Sequence, residues 1–187
     1  MIKRSFDIVS SIVGVIALSP ILVTTAVAIK LDSKGPIFFI QKRPGVDNHL
    51  FTIYKFRSMA VDTPNVETSK LGNGVSYITP IGKIIRRTSI DELPQLINVI
   101  KGDMSVVGPR PALYNQYDLI ERRTALGIHK VKPGITGLAQ VMGRDDISDE
   151  LKVKYDKYYV DNQSFTFDIW IIWKTIRNVA KSEGISH

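Results

Sequence analysis

An uncharged, mostly apolar run extends from Ile8 to Ile29, and Pro20 lies in its middle. As one α-helix the run would be about 33 Å long, close to the hydrocarbon core of a bilayer at about 30 Å. Proline inside a helix removes a backbone hydrogen bond and clashes with the preceding turn, and the hydroxyl of Ser19 can bond a carbonyl group that is freed. The run therefore predicts a membrane helix that is broken at Ser19-Pro20.

Basic residues flank this run at both ends, with Lys3 and Arg4 before it and Lys30 and Lys34 after it. Lys and Arg beside a membrane segment favour the cytoplasmic side, so both ends are expected there. Each arm of the broken helix would be about 16 to 20 Å long, which reaches through one leaflet only. We predict a re-entrant helix-break-helix over residues 1–34 and a separate domain over 35–187, with both termini on the cytoplasmic side of the membrane.

Other structures fit the same run. A straight membrane span with a proline kink has the right length, and Ala26-Val27-Ala28 fits the small-residue rule of a cleaved signal peptide. A buried core helix is a third alternative. Transfer of about ten large aliphatic side chains into lipid favours a permanent anchor.

Composition narrows the classes of function. The 187 residues suit one domain plus the anchor, and the absence of cysteine excludes disulfides and cysteine metal sites. The histidines are far apart and form no ligand spacing. The net charge is +7, and residues 1–60 contain eight basic and three acidic side chains. This cluster favours anionic lipid headgroups, and no nucleic-acid motif accompanies it, so nucleic acid is not an expected partner.

The remaining pattern predicts an α+β fold, a compact mixture of helices and short strands. Strands are expected over 37–41, with a turn at 42–45, over 50–56 and over 138–142. Residues 61–80 predict a mobile loop and residues 132–137 a second loop. Helices are expected from a capping box at Ser89 and Glu92 to near Gly102, and over 112–126 and 149–160.

The last helix is predicted from Phe165 onward by a stripe of apolar side chains. Trp170 and Trp173 carry polar groups that suit a headgroup interface. The stripe is equally typical of an amphipathic helix packed on its own domain, and the two arrangements are compatible.

The Asp91-Glu92 pair is the strongest candidate for chemistry. Acidic residues also stabilise a first helical turn, so capping alone explains them equally well. Adjacent helical residues point about 100° apart, which allows the two carboxylates different roles. With Arg86 and Arg87 one turn upstream, Asp91 is expected to stay ionised.

Six motifs occur in order along the chain, and together they resemble the bacterial sugar transferases, or monotopic phosphoglycosyl transferases. They are Ser19-Pro20 in an apolar N-terminus, residues 55–59 (KFRSM), 89–95 (SIDELPQ), 101–105 (KGDMS), 108–111 (GPRP) and 132–140 (KPGITGLAQ). The chain is similar to the minimal catalytic form of that family, and most similar to its capsule-initiating members.

The resemblance implies that residues 35–187 are a catalytic domain at the bacterial inner membrane, which transfers a phosphosugar from a UDP-sugar to undecaprenyl phosphate with release of UMP. Asp91 matches the family nucleophile and a Mg²⁺ ligand, and Glu92 matches the second carboxylate, which positions or deprotonates the acceptor or organises the metal. An N-acetylated deoxyamino sugar is the expected donor group. The motifs and the charge pattern add candidate substrate-binding residues, each of which is also compatible with a solvated surface or a structural turn: Lys55, Arg57, Arg86, Arg87, Arg110, Gln140 and Arg144.

Without the resemblance, a membrane-anchored glycosyltransferase that releases UDP and a non-catalytic membrane adaptor also fit the sequence. The sequence leaves the oligomeric state open.

Overall fold

The computed structural model describes residues 2–64, 77–143 and 147–181. Most of the predicted mobile loop and the candidate Arg144 lie outside these ranges. The described elements are helices α1 (Ile2–Ala17), α2 (Ser19–Asp32), α3 (Pro80–Arg87), α4 (Gln95–Lys101), α5 (Tyr117–Ala125), α6 (Leu138–Met142), α7 (Asp149–Asp161) and α8 (Phe165–Lys181), and strands β1 (Phe38–Pro44), β2 (Leu50–Phe56), β3 (Ser105–Val107) and β4 (Gly134–Thr136).

The predicted break in the apolar run is confirmed. Helix α1 ends at Ala17, α2 begins at Ser19, and the two helices are bent by 61°. Pro20 has no N–H to donate to the carbonyl of Ile16, and the Ser19 hydroxyl donates to that oxygen instead, at 2.8 Å. The bend therefore leaves the Ile16 carbonyl paired.

Among the described residues, only the bent pair α1 and α2, taken together, has the length and composition to reach across a bilayer, and no helix does so by itself. Many of the large apolar side chains of the pair point outward. Val9, Val13, Ile16, Val23 and Leu31 are each more than half exposed. The alternative of a buried core helix is therefore wrong.

Strands β1 and β2 form an antiparallel hairpin in which Gln41 pairs with Ile53. Ile53 and Phe56 point into the core, and Phe56 stacks on Phe38 at 5.5 Å between ring centroids. Strand β1 continues to Pro44, so the turn predicted at 42–45 is wrong. The register continues because Arg43 still pairs with Phe51 across the hairpin.

Helix α3 begins after Thr79, whose side chain accepts a hydrogen bond from Gly82 N at 2.9 Å. The next turn differs from the prediction. Ser89 adopts a left-handed backbone, at φ 56°, and caps nothing with its side chain, so the predicted capping box is wrong. Residues Ile90–Glu92 form a single 3-10 turn, and α4 begins only at Gln95 because Pro94 suits the position just before a helix.

Strands β3 and β4 pair in parallel, with Val107 opposite Thr136. Residues 134–136 are therefore strand where a loop was predicted. The predicted strand over Leu138–Met142 is also wrong, since these residues form α6. A short apolar run does not by itself distinguish a strand from a buried helical turn.

Helix α7 matches its prediction and is capped by Ser148, which accepts from Leu151 N at 3.3 Å. The helix predicted over 112–126 begins five residues late, at Tyr117. Pro109 and Pro111 disfavour helical backbone at the residues just before them, Gly108 and Arg110. The chain stays non-helical through Gln116. Helix α8 buries Asp168 and Ile171 and exposes Trp170 and Trp173.

The bent helix pair packs directly on the domain. Ile29 of α2 is buried with Phe56 and Ile85, and Ile90 of the 3-10 turn packs against this cluster. At the start of α1, Lys3 Nζ bonds Asp168 Oδ2 of α8 at 2.6 Å. Asp7 accepts from the Ser105 hydroxyl at 2.8 Å. These contacts fix the candidate catalytic turn relative to the apolar helices.

Candidate active site

Asp91 and Glu92 lie in the 3-10 turn between α3 and α4 and line a cavity of about 1270 Å³. The left-handed backbone of Ser89 redirects the chain between the end of α3 and the short turn that carries the two carboxylates. Asp91 is 8% exposed, and it makes no hydrogen bond or ion pair with another described residue. Its carboxylate is therefore available to a ligand in the cavity.

Both oxygens of Glu92 are occupied. Lys55 of β2 donates to Oε1 at 2.7 Å. Arg110 donates to both oxygens, from Nη2 to Oε1 at 2.7 Å and from Nη1 to Oε2 at 3.2 Å. Bidentate arginine–carboxylate pairs are strong and fixed in orientation. Glu92 thus joins β2, the 3-10 turn and the segment at Arg110.

The two adjacent carboxyl groups have opposite pKa shifts. Burial, followed by the charge of Glu92, raises the pKa of Asp91 to about 6. Burial alone raises the pKa of Glu92 too, but the charges of Arg110 and Lys55 outweigh it and hold that pKa well below its ordinary value. Asp91 is nonetheless mostly ionised at neutral pH, because its raised pKa still lies below 7.

Only some of the predicted basic residues lie close to the two carboxylates. Burial lowers the pKa of Lys55, against the opposing charge of Glu92. Arg86 and Arg110 both lower the pKa of Asp91 and both line the cavity. Arg87 is exposed in the last turn of α3 and does not line it. The structure thus brings together Lys55, Arg86 and Arg110 around the carboxylates.

Arg57 has structural contacts as well as a place in the cavity wall. It is 5% exposed, and its Nη2 donates to the carbonyl and the hydroxyl of Ser33, each at 2.9 Å. Its Nη1 donates to the carbonyl of Lys34. These bonds hold the end of β2 against the end of α2.

Gln140 of α6 also lines the cavity. Both polar atoms of its side-chain amide are shielded from solvent and lack a hydrogen-bond partner within the described ranges. A buried amide without partners is suited to a ligand with donors and acceptors of its own.

The Asp91 carboxylate fits a magnesium ion that would be held largely by substrate oxygens. No group of three or more His, Asp or Glu side chains clusters among the described residues. Mg²⁺ commonly binds through one or two carboxylates plus substrate phosphates, and Asp91 has an uncommitted carboxylate facing the cavity. Glu92, held by two cations, is poorly placed to be a direct ligand.

Arg43 is a cavity residue that the sequence pattern did not single out. Its Nη1 donates to the carbonyl of Pro111 at 3.2 Å. Burial, with Arg110 nearby, lowers the pKa of Arg43 to about 10. The sequence carried no signal for it, because 42–45 was predicted as a turn, whereas in the structure Arg43 lies in β1 on the same strand face as Gln41, which also lines the cavity.

The site combines a buried carboxylate of raised pKa with several basic side chains, and it lies beside a bent pair of apolar helices. These features are typical of an enzyme that acts on anionic groups at a membrane. The chain belongs to the bacterial sugar transferase family, whose model matches residues 1–182. It is a phosphoglycosyl transferase.

Relatives match almost the whole chain. The uncharacterized sugar transferase EpsL of Bacillus subtilis is 45% identical over 185 residues, which are 99% of this chain and 90% of that protein. The UDP-N-acetylgalactosamine-undecaprenyl-phosphate N-acetylgalactosaminephosphotransferase of Aeromonas hydrophila is 41% identical over 98% of this chain and 44% of that protein. The UDP-glucose:undecaprenyl-phosphate glucose-1-phosphate transferase of Escherichia coli is 41% identical over 94% of this chain and 39% of that protein.

Proposed function

We propose that this enzyme transfers a phosphosugar from a UDP-sugar to undecaprenyl phosphate in two displacements through Asp91, as the first membrane step of a surface glycan. The observation that carries the proposal is the buried, uncommitted Asp91 carboxylate among Lys55, Arg86 and Arg110 in a large cavity. The names of the Aeromonas and Escherichia relatives support the donor and acceptor classes.

In the first displacement, an oxygen of Asp91 attacks the sugar-bearing phosphorus of the donor. The new bond is an acyl phosphate, the bond to the bridging oxygen breaks, and UMP leaves with the electron pair. In the second displacement, an oxygen of undecaprenyl phosphate attacks the same phosphorus. The bond to Asp91 then breaks and its carboxylate is regenerated, so neither displacement needs an additional proton.

Charge neutralisation is the main requirement, because an anionic nucleophile must approach an anionic phosphate. Arg86 and Arg110 face the cavity and would bind phosphate oxygens, and the Gln140 amide would bind the donor. Mg²⁺, held by Asp91 and substrate oxygens, would supply further neutralisation of phosphate charge. Glu92 would act by holding Lys55 and Arg110 in place, since its low pKa makes it a weak base.

The bent helix pair would place this chemistry at the lipid headgroups. A re-entrant insertion of α1 and α2 into one leaflet would cover their exposed apolar side chains and keep both ends on the cytoplasmic side. An acceptor that keeps its chain in the bilayer would then meet Asp91 by lateral diffusion. Ile90, beside Asp91, packs against the cluster that Ile29 of α2 forms with Phe56 and Ile85.

Product analysis tests the reaction. The purified chain is incubated with undecaprenyl phosphate, Mg²⁺ and a panel of UDP-sugars that includes UDP-glucose, UDP-N-acetylgalactosamine and an N-acetylated deoxyamino sugar. We expect UMP as the nucleotide product, abolished in Asp91→Asn and retained in Asp161→Asn, a change at an exposed ion pair. Release of UDP would establish direct glycosyl transfer instead, and no turnover of any donor would contradict the proposed reaction.

A further inference from the structure

The segment that carries Arg110 is held by its backbone carbonyls. Pro109 and Pro111 have no N–H, so this stretch can donate little to its neighbours. Three consecutive carbonyls accept instead, each from a different element. Pro109 O accepts from Gly134 N of β4 at 2.9 Å, Arg110 O from Arg123 Nη1 of α5 at 2.8 Å, and Pro111 O from Arg43 Nη1 of β1 at 3.2 Å.

The middle hydrogen bond is fixed by a second residue. Arg123 uses its other terminal nitrogen, Nη2, to bond Asp156 Oδ2 of α7 at 2.5 Å. Asp156 is 1% exposed, and the Arg123 side chain is only 11% exposed. One arginine therefore links the backbone of Arg110 to a fully buried carboxylate on another helix.

Stability alone is a weak reason for this arrangement. The desolvation of two buried charges commonly cancels their attraction, and apolar residues of similar size often do as well. A buried ion pair does, however, hold its two side chains in one orientation. Arg110 itself has a long side chain that is 43% exposed, so the orientation of its guanidinium depends on where its backbone is held.

We propose that Asp156 and Arg123 are positioning residues for the reaction. They hold the backbone of Arg110 so that its guanidinium stays on Glu92 and beside Asp91. The inference rests on the proposed function for its catalytic consequence, and its geometric part is independent of it. Misplacement of such a group by about 1 Å can slow a reaction about a hundredfold.

A double-mutant cycle tests the catalytic part. Arg123→Gln is expected to lower kcat/KM at least tenfold, and the loss divides between kcat and KM as it does in Arg110→Gln. The double variant is expected to be within about twofold of Arg110→Gln alone, because Arg123 acts through Arg110. Multiplied losses would show that Arg123, which also lines the cavity, contacts substrate directly, and would overturn the proposal.

Graded variants separate positioning from simple loss of folding. Asp156→Asn keeps an oxygen that accepts from Arg123, so its loss of kcat/KM is expected to be smaller than that of Asp156→Leu. Arg123→Lys keeps the charge but replaces the planar fork of two terminal nitrogens by a single nitrogen, so its loss is expected to be close to that of Arg123→Gln. Matched controls with expected native rates are Asp161→Asn on α7 and the exposed Arg122→Gln on α5.

A readout that needs no turnover distinguishes failure of this inference from failure of the proposed function. The rate of phenylglyoxal modification at Arg110, followed by peptide mass, is expected to rise several-fold in Arg123→Gln and to stay native in Arg122→Gln. An unchanged rate in Arg123→Gln would overturn the inference, whether or not the native enzyme releases UMP.

Discussion

At the scale of single residues, the environment assigns different properties to two adjacent carboxyl groups. Asp91 has no described partner and a pKa of about 6, raised first by burial. Glu92 has Lys55 and Arg110 on its oxygens and a pKa held low by them. The two neighbouring carboxyl groups therefore differ in environment, since Glu92 is bound by two cations and Asp91 is not hydrogen-bonded to any described residue.

This difference predicts that the ionised carboxylate of Asp91 lowers the free energy of unfolding of the chain. Since its pKa in the folded chain is about 6, above the ordinary 3.8, folding stability is lost as the pH rises through about 6. We expect Asp91→Asn to be more stable than the native chain near neutral pH, by about 1 to 3 kcal/mol. The gain should shrink as the pH falls well below 6.

Thermal unfolding in detergent with EDTA measures this effect without bound metal. Asp161→Asn, which loses an exposed charge, serves as the control and should show no such pH-dependent gain. Equal unfolding temperatures for Asp91→Asn and the native chain at every pH would contradict the account of a penalised carboxylate.

At the scale of elements, local patterns predicted backbone well where the local signal was specific. Pro20 located the break in the apolar run, and the helix predicted over 149–160 is present as Asp149–Asp161. The run at 138–142 was ambiguous, and Ser89 carried a cap-like spacing but adopts a left-handed conformation. In both cases packing around the site, which a local window does not contain, decides the backbone.

Helix α8 is predicted to lie at the lipid surface with its exposed face. Trp170 and Trp173 are 39% and 54% exposed, while Asp168 and Ile171 on the other face are buried in the domain. The chain has only these two tryptophans, so intrinsic fluorescence reports on α8 alone. We expect a blue-shifted emission on binding to vesicles and quenching by brominated lipids.

The matched variant for this measurement is Trp173→Phe, which leaves Trp170 as the single reporter. Quenching in both the native chain and Trp173→Phe would show that the whole exposed face of α8 contacts lipid. Emission typical of water-exposed indole, unaffected by brominated lipids, would restrict α8 to packing on its own domain.

The bent helix pair is predicted to enter and leave the membrane on one side. The chain contains no cysteine, so Ser5→Cys and Lys34→Cys each provide one unique label site at an exposed position. Both are expected to be shielded from an impermeant maleimide in intact cells and to react after permeabilisation. Labelling at only one of the two ends from outside would establish a true span.

At the scale of the whole molecule, the site is assembled from distant parts of the chain. Lys55 and Arg110 reach Glu92 across 37 and 18 residues, and Lys3 reaches Asp168 across 165. The motifs identified Asp91, Glu92 and Arg110, but no pattern in the sequence showed that Arg110 binds Glu92. Arg57, a predicted substrate-binding residue, lines the cavity and also ties β2 to α2, and the sequence pattern did not show these contacts because they depend on the tertiary fold.

The same long-range assembly connects the anchor to the chemistry. The cluster of Ile29, Phe56 and Ile85 packs beside Ile90, so the position of α2 and the position of Asp91 are coupled through this cluster. The anchor and the domain are therefore expected to behave as one unit, in which the bent helices set the height of the carboxylate relative to the headgroups.

The most direct test of the central claim is to trap the phosphosugar on Asp91. The chain is incubated with a UDP-sugar and Mg²⁺ in the absence of acceptor. The masses of the intact protein and of its peptides are then measured. The account predicts a mass gain of one phosphosugar on the peptide containing Asp91, lost on addition of undecaprenyl phosphate and absent in Asp91→Asn. Turnover to UMP that occurs only with acceptor present, with no adduct on Asp91, would contradict it.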